Sequence, residues 1–126
     1  MKKVIQTGKA PEPIGPYSQA IVAGNLLFAS GQIALIPGTN DLETGDIVKE
    51  THQVMKNLGA LLEAAGLTYS HIIKTSIFLK DMGQFASVNE VYGSYFVKNF
   101  PARETVEVAA LPRNVNVEIS IIAIIG

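Results

Sequence analysis

The chain closes with a run of mostly β-branched residues, Val115-Asn116-Val117-Glu118-Ile119-Ser120-Ile121-Ile122-Ala123-Ile124. Successive side chains of a strand point to opposite faces, so Val117, Ile119 and Ile121 share one face. Ile122 and Ile124 lie on the other face. A sheet face that is open to water does not normally carry such residues. The run therefore predicts a strand whose two faces are both covered.

Two helices and several further strands are predicted upstream of this run. In residues 48–65 the apolar positions recur at helical spacing, and Gly66 follows where a left-handed C-terminal cap belongs. Asp81 can cap a second helix, which has an apolar stripe and ends near Phe100-Pro101. Alternating apolar residues and turn signals indicate the strands, which span residues 3–5, 18–22, 26–30, 71–80 and 104–109.

The order of these elements fits one α+β domain over residues 1–126. A mixed sheet with both helices packed on one face accounts for the order strand, hairpin, helix, strand, helix, strand, strand. A length of 126 residues is enough for one domain with a sizeable core and too short for two. Because no third helix remains to cover the other face, we expect a second copy of the chain to cover it. The sequence thus predicts a homo-oligomer.

Composition argues against several classes of partner and site. Lys and Arg number 10 against 11 Asp and Glu, so no positive surplus exists to hold a nucleic-acid backbone. Cysteine is absent, which removes disulfides and thiolate chemistry. His52 and His71 have no acidic residue at a metal-ligand interval, and no glycine-rich nucleotide loop occurs, so we expect neither metal nor cofactor. No secretory segment follows Lys2 and Lys3, and no apolar run is long enough to span a bilayer, so we expect a cytoplasmic protein without membrane contact.

Arg103 is the first candidate for a functional residue. It follows the turn Phe100-Pro101-Ala102, which fixes the direction of its side chain at the start of a strand. A guanidinium offers a planar fork of donors that matches a carboxylate or phosphate with two parallel hydrogen bonds. The alternative is an ordinary ion pair at a strand edge with Glu104 or Glu107. Spacing alone leaves both interpretations open.

Five short segments, spread over nearly the whole chain, form a specific combination. They are Ile14-Gly15-Pro16-Tyr17-Ser18-Gln19, Ser30-Gly31-Gln32, Val88-Asn89, Phe100-Pro101-Ala102-Arg103 and Val115-Asn116-Val117-Glu118-Ile119. In this order they resemble the reactive intermediate deaminase family, also called the Rid or YjgF family. The resemblance implies the fold of the small trimeric chorismate mutase. In that fold the sheets of a homotrimer wrap into a barrel, and the active sites lie in the clefts between subunits.

The archetypal branch of the family implies an enamine/imine deaminase without a cofactor. Such enzymes hydrolyse reactive 2-imino acids, 2-iminopropanoate and 2-iminobutanoate, which pyridoxal-phosphate dehydratases release from serine and threonine. The products are the 2-keto acid and ammonia. A 2-imino acid has a carboxylate beside an electrophilic C=N carbon, so its hydrolysis needs an anchor for the carboxylate and a positioned water.

The resemblance assigns roles to residues of the matching segments. Arg103 would anchor the substrate carboxylate, and Glu118, on a strand next to the one that follows Arg103, would orient or activate the attacking water. From spacing alone, Glu118 is equally well interpreted as a glutamate at a solvated strand end. Tyr17 would form a wall of the pocket or donate its hydroxyl, although on spacing alone an aromatic residue that fills the core is favoured.

Four more residues are candidates for substrate binding. Ser30 and Gly31 can offer a hydroxyl and a close backbone approach to a ligand, or they mark a hairpin end that needs small residues. Asn89 can reach the pocket across the subunit boundary or face water. Thr105 stands where many members of the family have cysteine, and its backbone N–H is a candidate donor to the substrate carboxylate. Because hydrolysis needs no thiolate, threonine is compatible with activity and leaves the preferred imine open.

Two other functions stay open at this point. A non-catalytic small-ligand binding or regulatory protein would use the same cleft for keto acids without turnover, and it would need Arg103 but not Glu118. Ribonuclease activity, which has been ascribed to some relatives, would need a basic cleft. The balanced charge of the chain does not predict such a cleft.

Overall fold

The computed structural model describes residues 1–126 as a mixed six-stranded sheet with two helices. The strands are β1 (Lys2–Ile5), β2 (Ala20–Ala23), β3 (Leu26–Gln32), β4 (Ile72–Leu79), β5 (Ala102–Glu107) and β6 (Val117–Ile124), and the helices are α1 (Ile47–Ala64) and α2 (Phe85–Gly93). Short 3-10 turns at Tyr69–His71, Met82–Gln84 and Pro112–Asn114 lie between them. The predicted α+β class, the mixed sheet and the two helices are confirmed.

Strand β6, which contains most of the closing apolar run, lies inside the sheet. The strand order is β1-β2-β3-β6-β4-β5, with β4 and β5 parallel and every other pair antiparallel. Buried and partly exposed residues alternate along β6, and α1 packs on β3 and β6 while α2 packs on α1. The core therefore lies between one face of the sheet and the helices, where Val117, Ile119 and Ile121 are buried with Leu58 and Leu61 of α1.

The other face of the sheet is open in the single chain. Phe28 of β3 is paired with Ile122 and is 42% exposed, Val106 of β5 is 42% exposed, and Ile124 of β6 is 37% exposed. Ile122 and Ile124 are the apolar side chains that the sequence predicted to need a cover, and Phe28 and Val106 extend the same apolar face. No helix of the chain is both long and apolar enough to cross a membrane.

The second helix is shorter than its apolar stripe predicts. Helix α2 ends at Gly93, not near Phe100, because the N–H groups of Tyr95 and Phe96 donate to carbonyls three residues back, at 3.2 Å each. This i to i−3 pattern is a tightened turn rather than an α-helix. Tyr95 and Phe96 still pack against the core, so the stripe correctly predicts burial but not helix length.

Two other local predictions also need correction. Asp81 does not cap α2 directly, because its side chain accepts a hydrogen bond from Gly83 N–H at 2.8 Å and so begins the 3-10 turn before the helix. Strand β2 begins at Ala20 rather than at Ser18. The Gln19 side chain instead binds the preceding loop, donating to the carbonyls of three loop residues and accepting from the N–H of Thr7. Residues 18 and 19 thus belong to the loop.

Candidate active site

Arg103 lies near the start of edge strand β5, with its side chain against α2. Its Nη1 donates to Asn89 Oδ1 at 2.6 Å. The guanidinium carbon lies 5.4 Å from the ring centroid of Phe85 and 5.3 Å from that of Tyr92, which are cation–π distances. Asn89 is therefore neither free in water nor directed away from the site, since it fixes one edge of the guanidinium. The remaining donors of Arg103 are available to an anion.

The alternative interpretation of Arg103 as part of a strand-edge ion pair is wrong. Glu104 pairs with Lys74 at 2.9 Å, and Glu107 accepts from the backbone N–H of Met82 at 2.7 Å. The two salt bridges of the chain do not include Arg103. The guanidinium is exposed and has no carboxylate partner, so its charge is not neutralised within the chain.

The hydroxyl groups of Thr75 and Thr105 lie on the same face of the sheet as Arg103. Arg103 pairs with Thr75 of β4, and Thr105 pairs with Ile77, so these residues face the helices. The Thr105 Oγ1 is buried and has no hydrogen-bond partner. Tyr92 donates to Thr75 Oγ1 at 3.1 Å. Burial raises the pKa of the Tyr92 phenol, although the hydrogen bond to Thr75 and the charge of Arg103 act in the opposite direction.

Glu118 stands on the open face, in close contact with Gly31. The register of β3 with β6 passes from Ala29 opposite Ile121 to Gln32 opposite Ile119, so Ser30 and Gly31 form a bulge. A Cβ atom at Gly31 would overlap Glu118 Oε2 and lie 2.9 Å from its Cδ. Glycine at this position thus leaves room for the close approach of the carboxyl group, which any larger residue would displace. Partial burial raises the pKa of the Glu118 carboxyl, so it is not a fully solvated glutamate.

Tyr17 and Ser30 lie beside this contact. Tyr17 is 52% exposed, so the interpretation that it fills the core is wrong. Its hydroxyl accepts from the N–H of Ile14 at 3.4 Å. Ser30 donates its hydroxyl to the carbonyl of Ser18 at 2.6 Å, which ties the bulge to the proline-rich loop. The Ser30 hydroxyl is therefore already engaged within the chain.

Two separate pockets open beside these groups. One, of about 270 Å³, has Tyr17 and Gly31 in its wall, and the other, of about 430 Å³, has Asn89 and Arg103 in its wall. The first is lined by Pro11, Glu12, Ile14, Tyr17, Gln19, Gly31, Gln32, Ile33, Leu35, Pro112 and Arg113. We call Tyr17, Ser30, Gly31 and Glu118 the Glu118 half-site, and Phe85, Asn89, Tyr92, Arg103 and Thr105 the Arg103 half-site.

The two half-sites lie on opposite faces of one sheet. The prediction that the strand of Glu118 lies next to the strand of Arg103 is wrong, because β4 lies between β5 and β6. Arg103 pairs with Thr75 of β4, whereas Glu118 pairs with Phe78. Positions 75 and 78 differ by an odd number and therefore face opposite ways. A single chain cannot bring Arg103 and Glu118 to the same small ligand.

No individual role was predicted for three of the buried polar residues around the Glu118 half-site. Glu50 and Asn57 of α1 are 0% and 1% exposed, and Gln19 before β2 is 3% exposed. The spacing of Glu50, Val54, Asn57 and Leu61 along the buried face of α1 was a signal that could have found the first two. Each of the three hydrogen-bonds to backbone groups of a segment that borders the half-site.

The two histidines take part in hydrogen bonds within the chain. His52 Nδ1 lies 2.7 Å from the hydroxyl of Tyr95, which links α1 to the turn after α2. His71 Nδ1 accepts from the N–H of Thr68 at 3.0 Å. No three His, Asp or Glu side chains come together in a group that could ligate a metal ion.

Known proteins resemble the chain over nearly its full length. A family model described as Endoribonuclease L-PSP matches residues 7–125. The chain is 54% identical over 123 residues to a RutC family protein of Pyrococcus horikoshii, with 98% of each chain covered. It is 47% identical over 126 residues to the 2-iminobutanoate/2-iminopropanoate deaminase of Mus musculus, which covers 100% of this chain and 93% of that protein. The crystal structure of E. coli TdcF with bound serine matches with a TM-score of 0.94 at 38% identity, over 98% of this chain and 99% of that one.

These matches agree with the resemblance that was first seen in short segments. All five segments lie within the matched residues 7–125, and each of them contributes at least one residue to one of the two half-sites. Solved structures that match nearly the whole chain include a Rid family protein of Yersinia pestis at 50% identity and the YjgF gene product of E. coli at 43% identity. The chain therefore belongs to the Endoribonuclease L-PSP family, which is also the family of the Rid and YjgF proteins.

Proposed function

We propose that the chain is a cytoplasmic imine deaminase that hydrolyses 2-imino acids such as 2-iminopropanoate and 2-iminobutanoate to 2-keto acids and ammonia. The observation that carries the proposal is the pairing of two incomplete half-sites. One presents an exposed guanidinium without a carboxylate partner, and the other presents a partly buried carboxyl group. These are the two groups that the reaction needs, one for the substrate carboxylate and one for the water. The deaminase relatives from mouse and human support this activity.

The active site is completed by a second subunit. Because Arg103 and Glu118 face opposite sides of the sheet, they can meet only when Arg103 of one chain approaches Glu118 of another. The exposed apolar residues Phe28, Val106 and Ile124 on the open face give such an assembly its driving force. We propose a homotrimer whose sheets form a barrel, with three equivalent sites in the clefts between subunits.

Arg103 binds and orients the substrate. Its free donors form two parallel hydrogen bonds to the substrate carboxylate, while Asn89 and the aromatic rings hold the guanidinium in place. The backbone N–H of Thr105 is a further donor to the same carboxylate. Tyr17, Ser30 and Gly31 border the imine carbon from the other subunit, and Gly31 leaves the space that Glu118 occupies.

Glu118 acts as the general base and general acid for the attacking water. With the imine protonated, the Glu118 carboxylate accepts a proton from the water as the water oxygen bonds to C2, and the C=NH2+ double bond becomes a single bond to an amino group. Glu118 then passes this proton to the amino nitrogen, and the C–N bond breaks to release ammonia as the C2 hydroxyl gives its proton to Glu118 and becomes the keto group. Glu118 finally loses this proton to solvent. A raised pKa suits both halves of this exchange, since the best acid–base catalysts titrate near the working pH.

The test compares variants on imine that a dehydratase generates in the assay. Glu118→Gln should lower kcat by at least about 100-fold, the usual contribution of a positioned acid–base group. Arg103→Ala should lower kcat/KM. Glu63→Gln is the matched control, because it changes an exposed glutamate at the C-terminal end of α1, outside both half-sites. Keto-acid binding without acceleration by the wild type would support the non-catalytic alternative instead. Cleavage of RNA by the wild type and not by Arg103→Ala would support the ribonuclease alternative.

Mixing two inactive variants tests the position of the site between subunits. Chains with Arg103→Ala and chains with Glu118→Gln are refolded together, so that some sites combine an intact Arg103 with an intact Glu118. Random assembly of equal amounts should restore about one quarter of wild-type activity, because each half-site is intact with a chance of about one half. The two variants refolded separately and then mixed are the control. No recovery in refolded mixtures that form trimers would exclude a shared site.

A further inference from the structure

Glu50 of α1 is a fully buried carboxyl group that the proposed reaction does not use. It is 0% exposed and lies within 4.0 Å of no cation. Its Oε2 accepts from the backbone N–H of Asn116 at 2.8 Å and from that of Val117 at 3.2 Å, and its Oε1 accepts from Asn116 Nδ2 at 2.7 Å. Burying an acidic group is costly, and three neutral donors offset part of that cost. All three donors come from the two residues directly before Glu118.

The start of β6 is held from two sides at this point. On one side Glu50 binds the N–H groups of Asn116 and Val117, and on the other side the N–H of Lys80 donates to the Asn116 carbonyl at 3.0 Å. Glu118 follows Val117 directly, and its carboxyl group lies so close to Gly31 that a Cβ atom there would overlap it. A shift of the strand start therefore moves the backbone from which the Glu118 side chain projects towards Gly31.

The other partner in that contact is also tied to α1. Asn57, two turns after Glu50 on the same buried face, donates through Nδ2 to the carbonyl of Ile33 at 3.0 Å and to that of Leu35 at 2.9 Å. These residues follow the Gly31 bulge within a few positions. One helix thus fixes both sides of the Gly31–Glu118 contact through buried polar side chains.

We propose that Glu50 is a positioning residue for the reaction: it fixes the start of β6 so that the Glu118 carboxyl stands against Gly31. The proposal rests on the proposed role of Glu118 in hydrolysis. Glu50 itself does not reach the substrate, because it projects from α1 into the core on the helix side of the sheet. Its effect is on geometry, and a misplacement on the order of 1 Å can change a rate about 100-fold.

Three substitutions separate hydrogen bonding from charge and from stability. Glu50→Gln keeps an acceptor for the two backbone N–H groups, and its amide can donate to Asn116 once the Asn116 amide turns over. Glu50→Ala leaves those N–H groups buried without a partner. Val54→Ala is the matched control, since Val54 is equally buried on α1 but carries no hydrogen bond. It loses stability through packing alone.

The experiment measures kcat, KM and backbone amide hydrogen exchange for each folded variant. We expect Glu50→Ala to lower kcat by about 10- to 100-fold with KM within about threefold, and to speed amide exchange at Asn116 and Val117. Glu50→Gln should stay within about threefold of the wild type in kcat, and Val54→Ala should leave both kcat and these two amides unchanged. Should Glu50→Ala fail to fold, Glu50→Asp, which withdraws the acceptor by one methylene, takes its place.

Two results would overturn the proposal. One is an unchanged kcat in a folded Glu50→Ala variant, which would leave Glu50 with a role in stability alone. The other is an equal loss of kcat in Glu50→Gln with slow amide exchange at Asn116 and Val117, which would make the charge and not the hydrogen bonds responsible. If the wild type does not hydrolyse imines, the proposed function fails, and the exchange of the two amides still reports whether Glu50 holds the strand.

Discussion

Replacing Gly31 with alanine should slow imine hydrolysis without unfolding the protein. The new Cβ would lie 2.9 Å from Glu118 Cδ and 3.2 Å from its Cγ. Non-bonded carbon atoms rest at about 3.5–4.0 Å, so the carboxyl group must retreat by roughly 0.6–1.1 Å. A displacement of that size can lower a rate about 100-fold, and we expect kcat to fall by about that factor. Gly31 has no positive φ, so backbone strain adds nothing to the effect.

The assay follows keto-acid formation from dehydratase-generated imine, together with urea denaturation. The Glu118 side chain is flexible and partly exposed, so the free energy of unfolding should change by at most about 1.5 kcal/mol, the cost of an off-rotamer side chain. Gly45→Ala is the matched control, because a Cβ at Gly45 meets no atom within 4 Å. A wild-type kcat in Gly31→Ala would refute the inference that this contact places the carboxylate. A loss of several kcal/mol would show that Glu118 cannot yield.

Three further predictions concern stability. Thr105→Val should raise the free energy of unfolding by about 1 kcal/mol, because Thr105 Oγ1 is buried without a partner. A lower free energy of unfolding, measured by urea denaturation, would show that the hydroxyl is hydrogen-bonded. Burial raises the pKa of the Glu118 carboxyl, so its stabilising protonated form is present below the ordinary glutamate pKa of about 4.3 and lost as the pH rises through the raised value. Wild-type stability should therefore fall relative to Glu118→Gln across that range, and parallel pH profiles would contradict the shift. Gly59→Ala should lower the melting temperature despite a gain in helix propensity of about 1 kcal/mol, since its Cβ would lie 2.8 Å from Tyr69 Cζ and disturb the hydrogen bond from Tyr69 to the Met55 carbonyl; a higher melting temperature would show that Tyr69 moves freely.

The faces of the strands were predictable from the sequence. Val117 and Ile119 are buried, and Glu118 and Ile122 on the other face are partly exposed, as the alternation in the closing run predicts. Alternation follows from the covalent geometry of a strand and needs no knowledge of its neighbours. The count of helices likewise predicted that the chain itself leaves the other face of the sheet uncovered, and Phe28 is exposed there.

The neighbours of each strand were not predictable in the same way. Strand β6 lies between β3 and β4, and β5 pairs in parallel with β4 at the edge. Such pairings are set by contacts between residues that are distant in the chain, which local periodicity does not encode. The sequence therefore predicted adjacent strands for Arg103 and Glu118. In the structure β4 lies between the two strands, and the two side chains are on opposite faces of the sheet.

Buried polar residues were also beyond the reach of local patterns. Glu50 and Asn57 occupy apolar-face positions of α1, where propensity gives no reason for a polar side chain. These polar side chains are explained by hydrogen-bond partners more than twenty residues away. The partners are the N–H groups at the start of β6 and the carbonyls after β3. A polar residue at a core position is thus a sign of a backbone group that needs a partner, although the sequence does not say which.

Each half-site is organised within one chain before any second copy arrives. Asn89 and two aromatic rings contact Arg103, the bulge at Gly31 lies against Glu118, and the buried Glu50 binds the two residues before Glu118. In the proposed assembly, association therefore brings together groups whose backbone segments are already fixed within each chain. Preorganisation of this kind lowers the entropic cost that binding must overcome. It also gives a reason for polar side chains in a core that apolar residues would fill more simply: Glu50 and Asn57 fix the backbone on both sides of the Gly31–Glu118 contact, which apolar packing alone specifies less sharply.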